Sequence, residues 1–243
     1  LTLGFRQFSH YFTDIREALE RGDEIEARRL LAAWQHLDAS ELPRSELLRH
    51  VIEHSLLAAH RHVFGVFFWF VLVASLGGGP AGAVLFRLAE FASRYWAFRN
   101  RKLDSMTHER LHALSRRCFA LMDHLPSRLT ATGFAVVGNF EEAVNGWRRD
   151  APLWEHPNEG VILAAAAGAV GVQLGGAAAP GVTPDRSKTL VAGGDPGATA
   201  AMGSTPGDPP QLGHLQAVVR LVWRSVVLWM LLLALLKLAN LIG

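Results

Sequence analysis

Two five-residue patterns in this 243-residue chain have the spacing of metal-assisted hydrolysis. His108-Glu109-Arg110-Leu111-His112 reads His-Glu-x-x-His, and His50-Val51-Ile52-Glu53-His54 reads as its inverted form. On a helix the i, i+4 spacing puts both imidazoles on one face, where they can grip a zinc ion while the glutamate activates water. Neither pattern has a third ligand at a recognised spacing, and Arg110 sets a cation inside the first. Among 11 histidines such matches arise by chance. Both are read as solvated histidines on polar helix edges, so no metal is assigned and His108, Glu109 and His112 remain weak candidates.

A second chemical stretch is Trp147-Arg148-Arg149-Asp150 through Trp154-Glu155-His156-Pro157-Asn158-Glu159-Gly160, a wet loop that feeds a charge-free run from Val161 to Thr183. In that run Ala167, Gly171 and Gly175 fall four apart, as do Ala164 and Gly168, so two helix faces lack bulk and admit another helix closely. The spacing predicts a packed membrane helix with a polar mouth. Gly175-Gly176 and Gly193-Gly194 lack the Gly-Lys-Ser/Thr continuation of a phosphate-cradling loop. Cys118 is the only cysteine, which excludes an intramolecular disulfide and a thiolate metal cluster.

The elements that carry these groups follow from a segregated composition. Half of the residues are hydrophobic, 19% are charged and mean hydropathy is +0.17, as expected of an all-α, polytopic helical membrane protein with amphipathic soluble helices. Residues 1–62 read as soluble helices. Asp23 with Glu26 forms an acidic capping box ahead of the stripe Ile25, Leu30, Leu31, Trp34 and Leu37. Another helix starts near Ser45, with Leu47, Leu48, Val51, Ile52, Leu56 and Ala59 on one side and Glu46, Arg49, His50 and Glu53 on the other.

Residues 63–176 form the membrane core. Its first run, Val63 to Phe86, would give a helix about 36 Å long, enough for a ~30 Å hydrocarbon layer. Gly77-Gly78-Gly79-Pro80 interrupts that run, so a re-entrant hairpin of two half-helices is the alternative to one span. Leu129 to Phe140 is a shorter apolar block. Residues 177–213 are Gly/Pro/Ala-rich and read as a flexible loop. Residues 214–243 read as a transmembrane helix, with Arg220, Arg224 and Lys237 able to snorkel and Trp223 and Trp229 suited to interfaces.

Between Arg87 and Arg128 nine Arg/Lys face four acids, which reads as a basic loop on the cytoplasmic side. Arg outnumbers Lys 21 to 3. Basic residues beside spans set topology and touch anionic headgroups, so membrane lipid is the expected partner and nucleic acid is not.

The stretch from Trp147 to Gly176 resembles the C-terminal core of the CobD/CbiB family of cobalamin-biosynthesis membrane proteins, with its Trp-Arg, His-x-Pro-Asn-like loop, Ala/Gly-rich helix and Leu-Gly-Gly end. Gly79 to Arg87, Leu125-Pro126-Ser127-Arg128-Leu129 and Gly22-Asp23 to Leu31 resemble three more of its blocks. The resemblance implies attachment of an aminopropanol unit, in phosphorylated form, to a carboxylate of adenosylcobyric acid in an inner, plasma-type membrane, with ATP and Mg²⁺ as cofactors. It implies Arg87, Arg128, Trp147, Arg148, His156 and Asn158 as ligand-binding residues for a corrinoid or another anionic small molecule, and hydrophobic spans ahead of Leu1. Where the family carries acids and amides, however, this chain has Leu57, Arg61, Phe119 and Ala120, an expected loss of Mg²⁺ binding and so of catalysis. Leu103-Asp104-Ser105-Met106 spells a family tetrapeptide about a dozen residues late. His60-Arg61-His62-Val63-Phe64 and Met122-Asp123-His124 resemble the AmpE branch instead, which implies a non-enzymatic inner-membrane sensor as the second reading. A histidine-pair metalloprotease is the third.

Overall fold

The computed structural model describes residues 2–35, 39–40, 42–102, 106–176 and 204–242. Helices α1 (Thr2–Glu20), α2 (Glu24–Gln35) and α3 (Arg44–Ala59) come first. Helix α3 runs on through a π-helical turn, His60–Phe64, into α4 (Gly65–Ser75). Then follow α5 (Ala81–Lys102), α6 (Met106–Val137), α7 (Phe140–Asp150), a 3₁₀ turn (Ala151–Leu153), α8 (Pro157–Val170) and α9 (Leu212–Ile242). The described residues are all-α apart from one isolated bridge, Val172 to Asp208.

Local chemistry sets several boundaries as the sequence predicts. Asp23 Oδ1 accepts the Glu26 N–H at 3.0 Å and caps α2. Ala27 and Leu31 are buried, whereas Ile25, predicted in the stripe, is 80% exposed; Leu37 lies outside the described residues. On α3 Leu47, Leu48, Val51, Ile52, Leu56 and Ala59 are all buried. Arg49, assigned to the polar side, is buried too, because Glu46 and Glu53 flank it at helical spacing and neutralise it.

Three boundaries differ from expectation. The division at residues 62 and 63 falls inside the continuous rod from Arg44 to Ser75, one of two helices long and apolar enough to cross a membrane; the other is Leu212–Ala239. The uncharged run from Val63 does not continue through the glycines. Gly77 (φ 84°) and Gly79 (φ 55°) turn the chain, and α5 returns against α4. Finally, residues 87–128 are helical in α5 and α6 rather than a loop, apart from 103–105, which are not described. Pro126 stands inside α6, where it deprives Met122 of its i+4 hydrogen bond; Trp69 Nε1 on α4 donates to that carbonyl at 3.1 Å and replaces it.

The charge-free run after Gly160 is the largest correction. Helix α8 ends at Val170, where Gly171 adopts the left-handed conformation (φ 79°). At 14 residues it is about 21 Å long, and Val161 through Ala167 are all buried between α6 and α7, so it is a core helix rather than a membrane span. The predicted close approach is real on one face only. A Cβ on Gly168 would strike the Glu142 carbonyl, and one on Gly146 would meet the Ala164 carbonyl at 2.8 Å, which lets α7 and α8 touch backbone to backbone. Ala167 is in the core, but Gly171 and Gly175 lie past the helix end, and the Gly175 N–H donates to Glu53 at 2.7 Å. Residues 177–203 of the predicted loop lie outside the described residues; Thr205 pairs with Leu174 through backbone and hydroxyl. Because a carbonyl cannot rotate away as a side chain can, Gly168→Val is expected to destabilise the protein by about 1–3 kcal/mol. Gly213→Ala, which meets open space, is expected to leave unfolding in detergent unchanged.

Candidate functional site

The π turn determines where the side chains of residues 60–62 point. One extra residue in the turn breaks the 3.6 repeat, a deformation common at functional sites. His60, only 1% exposed, faces α6: Nε2 lies 2.7 Å from Asp123 Oδ1 and Nδ1 2.9 Å from Thr130 Oγ1. Thr130 donates its own proton to the Pro126 carbonyl at 2.9 Å, so it accepts from Nδ1–H. A second hydrogen bond then joins Nε2 to the Asp123 carboxyl.

The next residue, Arg61, turns toward α8 and meets Glu159 at 2.5 Å. Beside Glu159, Asn158 bridges two elements: its Nδ2 donates to the Ala120 carbonyl at 2.8 Å and its Oδ1 accepts from Arg128 at 2.5 Å. Those contacts fix the amide orientation and tie the first turn of α8 to α6. From α5, Glu90 is 1% exposed between Arg87 at 2.6 Å and Arg94 at 2.7 Å, and Arg94 lies within electrostatic range of Arg61 and Arg87. Three guanidiniums, Arg61, Arg87 and Arg94, thus face the two carboxylates Glu90 and Glu159, an excess of one positive charge, and Arg128 is tied through Asn158 to the helix turn that carries Glu159. Such a cluster of planar guanidiniums suits the oxygens of phosphate or carboxylate.

Of the predicted ligand residues, Arg87, Arg128 and Asn158 belong to this cluster. Trp147 instead packs with Ala131, Ala151, Val161, Ala164 and Ala165 in a small apolar core. Arg148 is exposed on α7, and His156 is exposed at the N-cap of α8 without a side-chain cap bond. The histidine patterns are dispersed. Glu53 accepts from Arg49 and from the Gly175 N–H, and His54 stands edge-on to Trp34 at 4.3 Å. Glu109 is exposed, and the His108 side chain is not described. Among the described residues no three His, Cys, Asp or Glu side chains gather as metal ligands.

Sequence reasoning missed Glu90, Arg94 and Glu159, and gave His60, Arg61 and Asp123 no chemical role as a group. One signal was available. Arg87, Glu90 and Arg94 stand at i, i+3 and i, i+4 spacing on a helix that is otherwise apolar there, which marks a buried, paired carboxylate.

The sequence profile of the family described as CobD/Cbib protein matches residues 1–199. A cobalamin biosynthesis protein CobD of Stutzerimonas stutzeri is 34% identical over 96% of this chain and 69% of its own length. A CobD of Chromobacterium violaceum is 34% identical over 73% of this chain, and a cobalamin biosynthesis protein CbiB of Salmonella typhimurium is 30% identical over 72%. The chain spans about half the length of those last two relatives, 54% and 53%. These matches take in the front half, where the sequence leaned toward the AmpE branch. No solved structure matches.

Proposed function

Since the chain belongs to the CobD/CbiB family of cobalamin-biosynthesis proteins, we propose that it serves the amide-forming step between a phosphorylated aminopropanol and a corrinoid carboxylate by holding these anionic reactants. The observation that carries the reading is the convergence of Arg61 from the π turn with Arg87 and Arg94 from α5 on one partly buried place, with Arg128 of α6 held through Asn158 to the first turn of α8 beside it. Burial lowers the effective dielectric and strengthens each guanidinium–anion contact, while Glu90 and Glu159 keep the empty cluster from being too strongly self-repelling.

The donor set fits the cofactors in part. The guanidiniums suit the phosphates of ATP. Glu90 is enclosed by two arginines, Asp123 is held by His60 and Glu159 by Arg61, so among the described residues none of the three is free to form a protein cage for Mg²⁺. No step through the metal is derived. We place the protein in the plasma membrane as a multi-pass protein; the long apolar helices Arg44–Ser75 and Leu212–Ala239 support that placement.

The test has two arms. Purified protein in detergent micelles is titrated with aminopropanol phosphate and, separately, with adenosylcobyric acid, and the chain is expressed in a bacterium lacking its cobinamide-phosphate synthase. Binding with rescue supports the proposal in full. Binding without rescue would match the loss of catalysis expected from Leu57, Arg61, Phe119 and Ala120. Absence of binding to both compounds would overturn it.

A further inference from the structure

The two carboxylates of the arginine cluster are held in different ways. Glu90 is buried between Arg87 and Arg94, which close on it from both sides. Glu159 keeps 31% of its side chain exposed, and its partner Arg61 keeps 23%. A single contact joins them, Arg61 Nη2 donating to Glu159 Oε1 at 2.5 Å, and among the described residues no other hydrogen bond engages either side chain. A partly exposed ion pair with one contact is weak and exchanges readily. Glu90 is thus a fixed counter-ion and Glu159 a replaceable one.

The neighbours of the pair hold both of its backbones in place. His60, one residue before Arg61, is anchored to Asp123 and Thr130 on α6. Asn158, one residue before Glu159, is anchored at both ends of its amide, to the Ala120 carbonyl and to Arg128. The guanidinium and the carboxylate can therefore change partners without movement of the π turn or of α8. Arg94 is exposed and within electrostatic range of Arg61, so the cluster is reachable from solvent.

A cation and an anion that separate at small cost suit a small molecule carrying both charges. Near pH 7 the phosphate of a monoester carries about −1.5 to −2. With one ammonium on the same molecule the sum is close to the single negative charge that the cluster's excess can balance. We propose that an amine-bearing phosphate monoester inserts into the Arg61–Glu159 pair, a placement that rests on the reading of the cluster as an anion site: the phosphate replaces Glu159 on Arg61, with Arg94 beside it, and the ammonium takes the Glu159 carboxylate. No covalent bond changes, and one ion pair becomes two. Glu159 then selects for the amine. The net field of the cluster alone gives the opposite order of ligands, because a phosphate without an amine is the more negative.

The test is calorimetric titration of the full chain in detergent micelles with aminopropanol phosphate and with isopropyl phosphate, which lacks only the amine. The expected affinity for aminopropanol phosphate is higher by at least about tenfold, the scale of one hydrogen bond between charged groups. Glu159→Gln is expected to abolish that preference, and to bind isopropyl phosphate more tightly than the unaltered chain does, because Arg61 has lost its internal competitor. Glu159→Ala, the second variant, is expected to do the same, with thermal unfolding as the check that each is folded. Equal affinity for the two compounds, or a preference for the amine that survives both substitutions, would overturn the inference while leaving the anion site standing. Absence of binding of either compound to the unaltered chain would overturn the anion site itself, and the inference with it.

Discussion

Asp123→Ala is expected to cost about 1–3 kcal/mol of stability, the loss associated with leaving one partner of a buried hydrogen bond unsatisfied. His60 would keep its Thr130 contact but face an apolar gap where the carboxyl stood, 63 residues away in sequence. At this chain length a loss of that size corresponds to a fall in Tm of roughly 2–12 °C, read from thermal unfolding in detergent. His60→Ala should cost nearly as much, and the double variant much less than the two losses added, because either change alone already breaks the same contact. Additive losses in that cycle would show that the pair does not act as a unit. Asp123→Asn retains the shape and one hydrogen bond, and its loss should be smaller. Since His60 and Arg61 are adjacent in the π turn, the destabilised variants should also lose ligand affinity, which Asp123→Asn should largely keep.

The second large effect is on binding. Arg61→Ala and Arg128→Ala are each expected to weaken binding of aminopropanol phosphate or adenosylcobyric acid by about 1.5–3 kcal/mol, roughly 10- to 150-fold in Kd, the scale of a charge-assisted hydrogen bond. Arg61→Lys should recover only part of this, because an ammonium cannot present the planar fork. Arg148→Ala is expected to leave affinity unchanged. That separates the two sources of evidence, for the sequence resemblance put Arg148 among the ligand residues while the fold exposes it on α7. Calorimetric titration of the four variants decides. An affinity loss at Arg148 equal to that at Arg61 would move the binding site to the α7 surface.

The sequence by itself determined what depends on neighbouring residues. The alternation of Leu47, Leu48, Val51, Ile52 and Leu56 specifies a buried helix face, Asp23 specifies the start of α2, and the apolar residues after Leu212 specify a long terminal helix. The motifs from Trp147 to Gly176 were sufficient to indicate the family. These signals are local, because helical periodicity and capping involve residues at most a few positions apart.

Tertiary structure decided what local composition leaves degenerate. A charge-free Ala/Gly helix has the same composition whether lipid or protein surrounds it; only the backbone contact at Gly168 and Gly146 makes α8 a core helix. Two glycines at positive φ, with α5 packed back on α4, converted a span-length run into a hairpin. Arg49 looks like a surface cation until Glu46 and Glu53 close on it. His60–Asp123 and Arg61–Glu159 join residues 63 and 98 positions apart, and no spacing rule operates across such distances. The cluster exists because a π turn in one helix, a proline in another and the first turn of a third happen to meet, and that meeting is fixed by packing.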